Sequence, residues 1–383
     1  MTRSAPAGAG SCAGSSRCRS ERVDLSVERA ARYGRAAQRW ARLLVHRRVE
    51  PGARVFYGHD VVPAAGERAA GGTAKIQKLA ERFPNTPVGF SLLYLGSNWL
   101  PRDLGPLLAL ARRRGIPVVV NQDGVAYPGW AGAETHRINA PMRRVLLAAD
   151  HVVYQSEFAK RSADRFLGEP RGSVEVLPNA VAVEHFTPAT VPPDGGPVLL
   201  LGGDQTQEYR VELALRTLAA LVPREHGAQL LVTGRLVAPI EPLIEELGLT
   251  GRVRVLGEYA QRAAPDVFRQ AHLLLHTKVN DACPTLVLEA MACGLPVVYP
   301  ASGGTVELVE KEAGVGVPHP DGFDRDEPPS PQELAEAVER AWANRTAFAA
   351  AARGRAVERF ALEPWLDRHA ELFAGLLERS VAS

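Results

Sequence analysis

Two carboxylates with seven residues between them, Asp281 and Glu289, begin a stretch reading DACPTLVLEAMACGLPVVYPASGGTVELV from Asp281 to Val309. Its order is loop, small-residue helix, stop at Gly294, apolar strand, Gly303-Gly304 turn and second helix. A carboxylate at Glu289 can accept hydrogen bonds from two adjacent hydroxyls, as on a ribose. The competing reading is a carboxylate that answers the helix dipole. The loop from Ala282 leads into the helix at Thr285 and Leu286. Backbone N–H groups at a helix start have no partner within the helix and attract phosphate. Pro284 is compatible, because its missing N–H would have been unpaired anyway. Lys278 lies three residues before Asp281 and is one of only five lysines in the chain, so it suits an anionic partner. Carboxylates, free N–H groups and a cation around one cleft suit a ligand with both hydroxyls and phosphates.

Other positions carry weaker signals. Gly202-Gly203-Asp204 ends an apolar run, and Arg210 follows. A guanidinium there can face a diphosphate as a fork of donors, or can be a solvated helix arginine. Gly71-Gly72-Thr73 precedes a helical stretch and could bring backbone close to a ligand. Asn121-Gln122-Asp123-Gly124 follows a strongly apolar strand. Asp324-Arg325-Asp326 sits in a Pro/Gly-rich loop and reads as a solvated turn rather than a metal site.

The elements that must position these groups alternate along the chain. Expected strands are Arg54–Tyr57, Gly89–Leu95, Pro117–Asn121, His151–Gln155 and Val174–Leu177, then 198–201, Gln229–Thr233, Val253–Leu256, Leu273–His276, Pro296–Tyr299 and Gly314–Val317. Helical stretches lie between them, among them Ala74–Arg82, Asp103–Arg114, Pro141–Ala149 and Glu157–Phe166. Alternating strand and helix implies mainly parallel sheets. The fold class is therefore α/β, with two Rossmann-like doubly wound domains facing a cleft. Ligands in such sheets lie beyond the carboxyl ends of the strands. The Pro/Asp/Gly-rich run from Thr187 to Pro197 reads as the linker. The domains divide as 1–50, a basic and partly disordered segment; 51–186, the first Rossmann-like domain; and 187–363, the second. Residues 364–377 form a final helix.

Composition narrows the function class. The total charge is +2, which argues against a nucleic-acid binder. Residues 1–50 hold eleven arginines and four acids, so the remaining residues carry a net negative charge. Residues 1–22 read as unstructured and lack the apolar core of a secretory signal. Val27–Val49 reads as a helix, suited either to packing on the first domain or to an anionic membrane surface. Cys12, Cys18, Cys283 and Cys293 form no CxxC pair, which points to a reduced, cytoplasmic chain without structural zinc. No G-x-G-x-x-G follows a first strand, so a nicotinamide dehydrogenase is disfavoured.

From about Gly52 to the C-terminus the chain resembles the retaining family-4 glycosyltransferases of the GT-B fold. The resemblance is most specific in Asp281–Glu310, supported by Val176-Leu177-Pro178-Asn179, Phe186-Thr187-Pro188 and the run from Leu247 to Gly257. It implies that Glu289 holds the donor ribose, Asp281 lies near the transferred sugar, and the backbone of Thr285 and Leu286 meets the diphosphate. Gly257 and Glu258 would frame the base, and Pro364–Leu377 would cross back onto the first domain. Asp281 stands where the family usually has Glu, Gly203 where Arg is frequent, and Asn121-Gln122 where a histidine is common. The expected site is thus Asp281, Asn121 and Gln122 around the sugar. Glu289, Thr285, Leu286, Arg210, Lys278, Gly203, Gly257, Glu258, Gly71 and Gly72 would hold the donor.

The implied reaction is sugar transfer from a nucleoside diphosphate sugar to a hydroxyl acceptor with retention, without metal or cofactor. UDP is favoured and GDP second; the acceptor is a glycan, a lipid-linked species or a small natural product. The alternatives are a nucleotide-sugar epimerase, a glycogen-type synthase, or a non-catalytic sugar-nucleotide binding module. The chain is expected in the cytoplasm, with peripheral membrane contact through its basic start as an additional partner.

Overall fold

A computed structural model describes residues 52–64, 66–67, 72–320 and 322–382. The expectations for the unstructured start, the Val27–Val49 helix, Cys12, Cys18 and Gly71 lie outside these residues.

Five strands form the first sheet: β1 (Val55–Phe56), β2 (Leu92–Gly96), β3 (Val118–Gln122), β4 (His151–Tyr154) and β5 (Ser173–Val176). They pair in parallel in sequential order. β2 and β3 are buried along their whole length, as expected of apolar strands covered on both faces. Six parallel strands form the second sheet: β6 (Val198–Leu201), β7 (Gln229–Thr233), β8 (Val253–Gly257), β9 (Leu273–Leu275), β10 (Val297–Ala301) and β11 (Gly314–Pro318). Their order is β11-β10-β9-β6-β7-β8. The winding direction reverses between β6 and β9, and the crevice at that switch point is where such sheets hold ligands.

Local chemistry sets the helix ends. The Leu104–Arg114 helix stops at Gly115, whose φ of 59° is left-handed, while Ile116 N–H returns to Ala111 O. Ser156 caps Glu157–Phe166, and Ser330 with Glu333 forms a capping box for Pro331–Ala343. One helix differs from expectation. It runs Thr135–Leu146 with Pro141 inside, instead of starting at Pro141. Its early turns are held by tertiary contacts: the Asn139 amide exchanges two hydrogen bonds with the Ala126 backbone, at 2.9 and 2.8 Å. That anchoring outweighs the local preference of proline for a first turn.

The chain passes between the sheets after Val176 and returns after Arg359. The two crossings touch, with Val181 N–H donating to Phe360 O at 2.8 Å. The last helix, Leu362–Ala382, then lies on the first sheet. Trp365, Leu366, Leu372, Phe373 and Leu376 pack there against Tyr57, Leu92, Tyr94, Val119 and Val153. Burial of each such side chain stabilises by about 1.5–3 kcal/mol. Among the described residues no helix is long and apolar enough to cross a membrane.

Candidate active site

A cleft of about 1220 Å³ opens at the carboxyl ends of both sheets. On the second-sheet side it begins at the switch point. Gly202 and Gly203 leave β6, and Gly203 has a φ of 77°. A Cβ on Gly202 would lie 2.7 Å from the Leu286 side chain, so the glycine lets this loop pack closely against the start of Thr285–Ala292 with Leu286 in its present position. That helix has Pro284 at its N-cap and no side-chain cap. The N–H groups of Thr285 and Leu286 therefore have no helical acceptor. Lys278, Arg210 and Gly203 line the same part of the cleft.

Arg210 is 6% exposed, and its Nη1 donates to Asp204 O at 3.1 Å. Its Nε has no partner. Burial depresses the guanidinium pKa, and Asp281 counters the shift. Asp281 Oδ1 lies 3.2 Å from Lys278 Nζ, and its Oδ2 lies 3.6 Å from His276 Nε2. Burial alone would raise the Asp281 carboxyl, but the charges of Lys278 and Arg210 outweigh it and hold it below the usual range. His276 is buried and its pKa is pushed down to about 3 by that burial, against the pull of Asp281. The ring is therefore neutral at pH 7, and its contact with Asp281 is not an ion pair. Both ring nitrogens lack hydrogen-bond partners at the cleft wall. His276 did not stand out in the sequence, because a lone histidine after an apolar run carries no motif.

Gly303 and Gly304 serve packing. A Cβ on Gly303 would lie 2.5 Å from Asp281 O, and one on Gly304 would lie 1.9 Å from Ala282 O. They let the Asp281–Ala282 backbone run close by; neither lines the cleft.

One turn into its helix, Glu289 points into the cleft, 6% exposed. Its Oε1 accepts from Gln261 Nε2 at 2.6 Å. Burial raises the carboxyl pKa, while Lys78 of the Gly72–Arg82 helix and Gln261 pull it back. Lys78 thus brings a charge from the first lobe to a carboxylate of the second. Glu258 and Tyr259 also line this region, whereas Gly257 does not. The Gly257 carbonyl accepts from Gly234 N–H at 2.8 Å, behind the wall.

On the first-sheet side the structure corrects two expected positions. Asn121 and Gln122 are 1% and 0% exposed and stand behind the cleft. β3 runs through Gln122, so the first residue to leave the sheet is Asp123. Asn121 Oδ1 accepts from Lys75 Nζ at 2.8 Å and from Gln155 Nε2 at 3.0 Å, and its Nδ2 donates to the Tyr94 hydroxyl at 3.0 Å. Gln122 Nε2 turns back to Asp123 O at 3.0 Å. Asp123, Lys75 and Gln155 line the cleft in their place, with both Lys75 Nζ and Gln155 Nε2 bonded to Asp123 Oδ1. Gly72 lies beside them. A Cβ there would come 2.9 Å from Asp123 Oδ2.

In the Asp324–Asp326 segment Asp324 and Arg325 are exposed, as expected of a solvated turn, and only Asp326 departs from that reading. Asp326 is half-buried in the cleft wall and accepts from the Tyr127 hydroxyl at 2.9 Å. Burial raises its carboxyl pKa against the effect of Tyr127. Next to it, Phe323 O accepts from Gly129 N–H at 2.8 Å, and the Phe323 ring packs with Tyr127, Phe158 and Phe166. A loop of the second lobe is thereby strapped to the first. Outside the cleft lining, where the two lobes touch, Glu307 accepts from the N–H groups of Glu157 and Phe158, each at 2.8 Å. Ser156 Oγ also donates to Ala282 O across the lobes, at 2.6 Å.

Two parallel α/β sheets with a cleft at their facing carboxyl ends define the GT-B architecture, and solved structures agree. Anabaena HepE in complex with UDP superposes with a TM-score of 0.61 at 19% identity, over 79% of this chain and 81% of that one. A sucrose-phosphate synthase from Thermosynechococcus elongatus gives 0.62 at 19% identity, over 80% and 78%. Residues 46–185 match Glycosyltransferase Family 4, and residues 184–356 match Glycosyl transferases group 1. The chain belongs to this glycosyltransferase family. It is 24% identical to the D-inositol 3-phosphate glycosyltransferase of Nocardiopsis dassonvillei over 257 residues, 60% of this chain and 59% of that protein. It is also 26% identical to the phosphatidylinositol N-acetylglucosaminyltransferase gpi3 subunit of Schizosaccharomyces pombe over 188 residues, 47% and 40%. The match thus spans less than two thirds of these relatives' length.

Proposed function

We propose that this protein transfers a sugar from a nucleoside diphosphate sugar, UDP first and GDP second, to a hydroxyl acceptor, with retention at the anomeric carbon. One observation carries the reading: at the switch point of the second sheet, the free N–H groups of Thr285 and Leu286 lie one helical turn from Glu289, in a cleft also lined by the cations Lys278 and Arg210. N–H groups and cations suit a diphosphate. The carboxylate one turn on suits a ribose diol. The UDP bound by HepE supports the choice of nucleotide.

In the reaction the bond between the anomeric carbon and the phosphate oxygen breaks, and its electron pair passes to that oxygen. The N–H groups, Lys278 and Arg210 stabilise the charge that develops there. The acceptor hydroxyl attacks from the same face, and its proton goes to the departing phosphate oxygen. No side-chain base and no metal ion takes part. Asp281 keeps Lys278 oriented and faces the sugar hydroxyls. Asp123 and Gln155 provide polar contacts from the first lobe, beside an acceptor wall of Val125, Tyr127, Trp130, Ile138 and Met142.

A thermal-shift screen of UDP-, GDP-, ADP- and dTDP-sugars tests the donor. Stabilisation by UDP-sugars alone is expected. No response to any of them would remove the proposal. The anomeric configuration of the product, read by NMR, tests retention.

A further inference from the structure

A second groove, of about 1090 Å³, lies at the opposite end of the first sheet. It runs past Val118, Asp150 and Ser173, at the amino ends of β3, β4 and β5. The cleft lies beyond the carboxyl ends of the same strands. Five arginines line the groove: Arg112 and Arg113 of Leu104–Arg114, Arg144 of Thr135–Leu146, Arg171 before β5, and Arg379 of the last helix. Asp150 is the single acid among the lining residues, and its Oδ2 already accepts from Val118 N–H at 2.8 Å. None of the five guanidinium groups has an ion-pair partner among the described residues, whereas Arg82, Arg224 and Arg368 elsewhere do.

Arg112 and Arg113 alone have an ordinary explanation, since cations in a last turn complement the helix dipole. The other three come from separate elements, and the dipole does not account for them. Gathering like charges in one concavity is unfavourable unless an anion offsets them. Two contacts join the elements that line the groove. The Arg144 guanidinium lies against Gly105 of the Leu104–Arg114 helix, its Nη2 2.5 Å from where a Cβ would stand. Ser380 Oγ donates to Gly115 O at 2.7 Å and fixes the end of the last helix beside Arg379.

We propose that this groove binds a multiply phosphorylated anion, at a site separate from the cleft. Arginine forks match phosphate oxygens in pairs, and five of them exceed what a single carboxylate could use. The phosphates come from a free polyphosphate or from lipid headgroups, and the test distinguishes these sources. Tripolyphosphate is titrated into the full chain by calorimetry. Vesicles of phosphatidylcholine, with and without phosphatidylglycerol, are co-sedimented with it in parallel. Both measurements are repeated on the combined variant Arg144→Gln, Arg171→Gln, Arg379→Gln. A control carries Arg161→Gln, Arg254→Gln and Arg359→Gln, which are exposed on three other elements and change the charge equally. Lys278→Gln reports binding in the cleft, and so separates failure here from failure of the donor site.

The expected result is loss of binding by about tenfold or more in the groove variant, one decade being the least that losing these charged contacts should cost. The control should bind as the unaltered chain does, and Lys278→Gln should keep the groove's share of the binding while losing any share that the cleft contributes. Loss with tripolyphosphate assigns a free polyphosphate; loss with the anionic vesicles alone assigns a headgroup. Equal binding by the groove variant and the control, or no binding of either probe to the unaltered chain, overturns the proposal. The three groove arginines are exposed, so unchanged circular dichroism and Tm are expected of the variant. Gly105→Ala, which displaces only the Arg144 guanidinium, gives a smaller loss in the same direction.

Discussion

Replacing Glu289 with alanine tests the donor site most directly. In the structure its Oε1 already accepts from Gln261 at 2.6 Å. An ionised carboxylate offers about four acceptor positions, so two ribose hydroxyls can bind without displacing Gln261. A hydrogen bond to a charged group contributes about 1.5–3 kcal/mol. Loss of two, at the lower end, costs about 3 kcal/mol, or roughly a hundredfold in affinity. The ribose is remote from the breaking bond, so its binding is the same in ground and transition states. The loss should therefore appear in the donor KM with kcat nearly unchanged. Initial rates at varied UDP-sugar, with calorimetry of UDP and 2′-deoxy-UDP, measure it. The unaltered protein should prefer UDP over the deoxy compound by about tenfold, one charged hydrogen bond. Glu289→Ala should not discriminate between them. Retained discrimination in the variant would refute the assignment.

Other expectations follow from the same geometry. Tyr127→Phe removes the hydrogen bond that straps Asp326 to the first lobe and should cost about 1–2 kcal/mol in urea unfolding; an unchanged midpoint would mean the strap contributes nothing. Lys75→Met leaves Asp123 buried without its cation, at a cost of about 3 kcal/mol, and Lys75→Met with Asp123→Leu should recover most of it. His276 and His369 are held neutral by burial, with pKa values lowered from 6.5 to about 3 and about 4. Their folded forms bind fewer protons than the unfolded chain. Stability is thus full above pH 6.5 and falls with acidification toward pH 4, by about 1.4 kcal/mol per pH unit for each histidine. In His369→Gln the slope should shrink by one such increment, read from unfolding curves across that range. Gly202→Ala pushes a Cβ into Leu286 and should weaken UDP binding while leaving the fold intact, as calorimetry and circular dichroism would report.

The sequence by itself determined the architecture and most of the second-lobe residues that line the cleft. The eleven strands of the described residues were legible: most are apolar runs buried in a parallel sheet, and the edge strands β5 and β8 show as short runs in which Val alternates with polar or charged residues. Asp281, Thr285, Leu286 and Glu289 were legible for a related reason: they fall within one loop and one helix, where the distance along the chain fixes the distance in space. The positions that went astray depend on contacts between distant segments. β3 extends through Gln122, one residue past its expected end, so Asn121 and Gln122 stay packed within the sheet and Asp123 is the first residue to reach the cleft. Lys75 meets Asn121, and Gln155 meets Asp123, only after the sheet has formed across 46 and 32 residues of chain. Asp326 looked solvated because its partner, Tyr127, lies 199 residues earlier in the other lobe. The arginine groove is of the same kind: four separate segments supply its charge, and their convergence is set by packing, which no local pattern records.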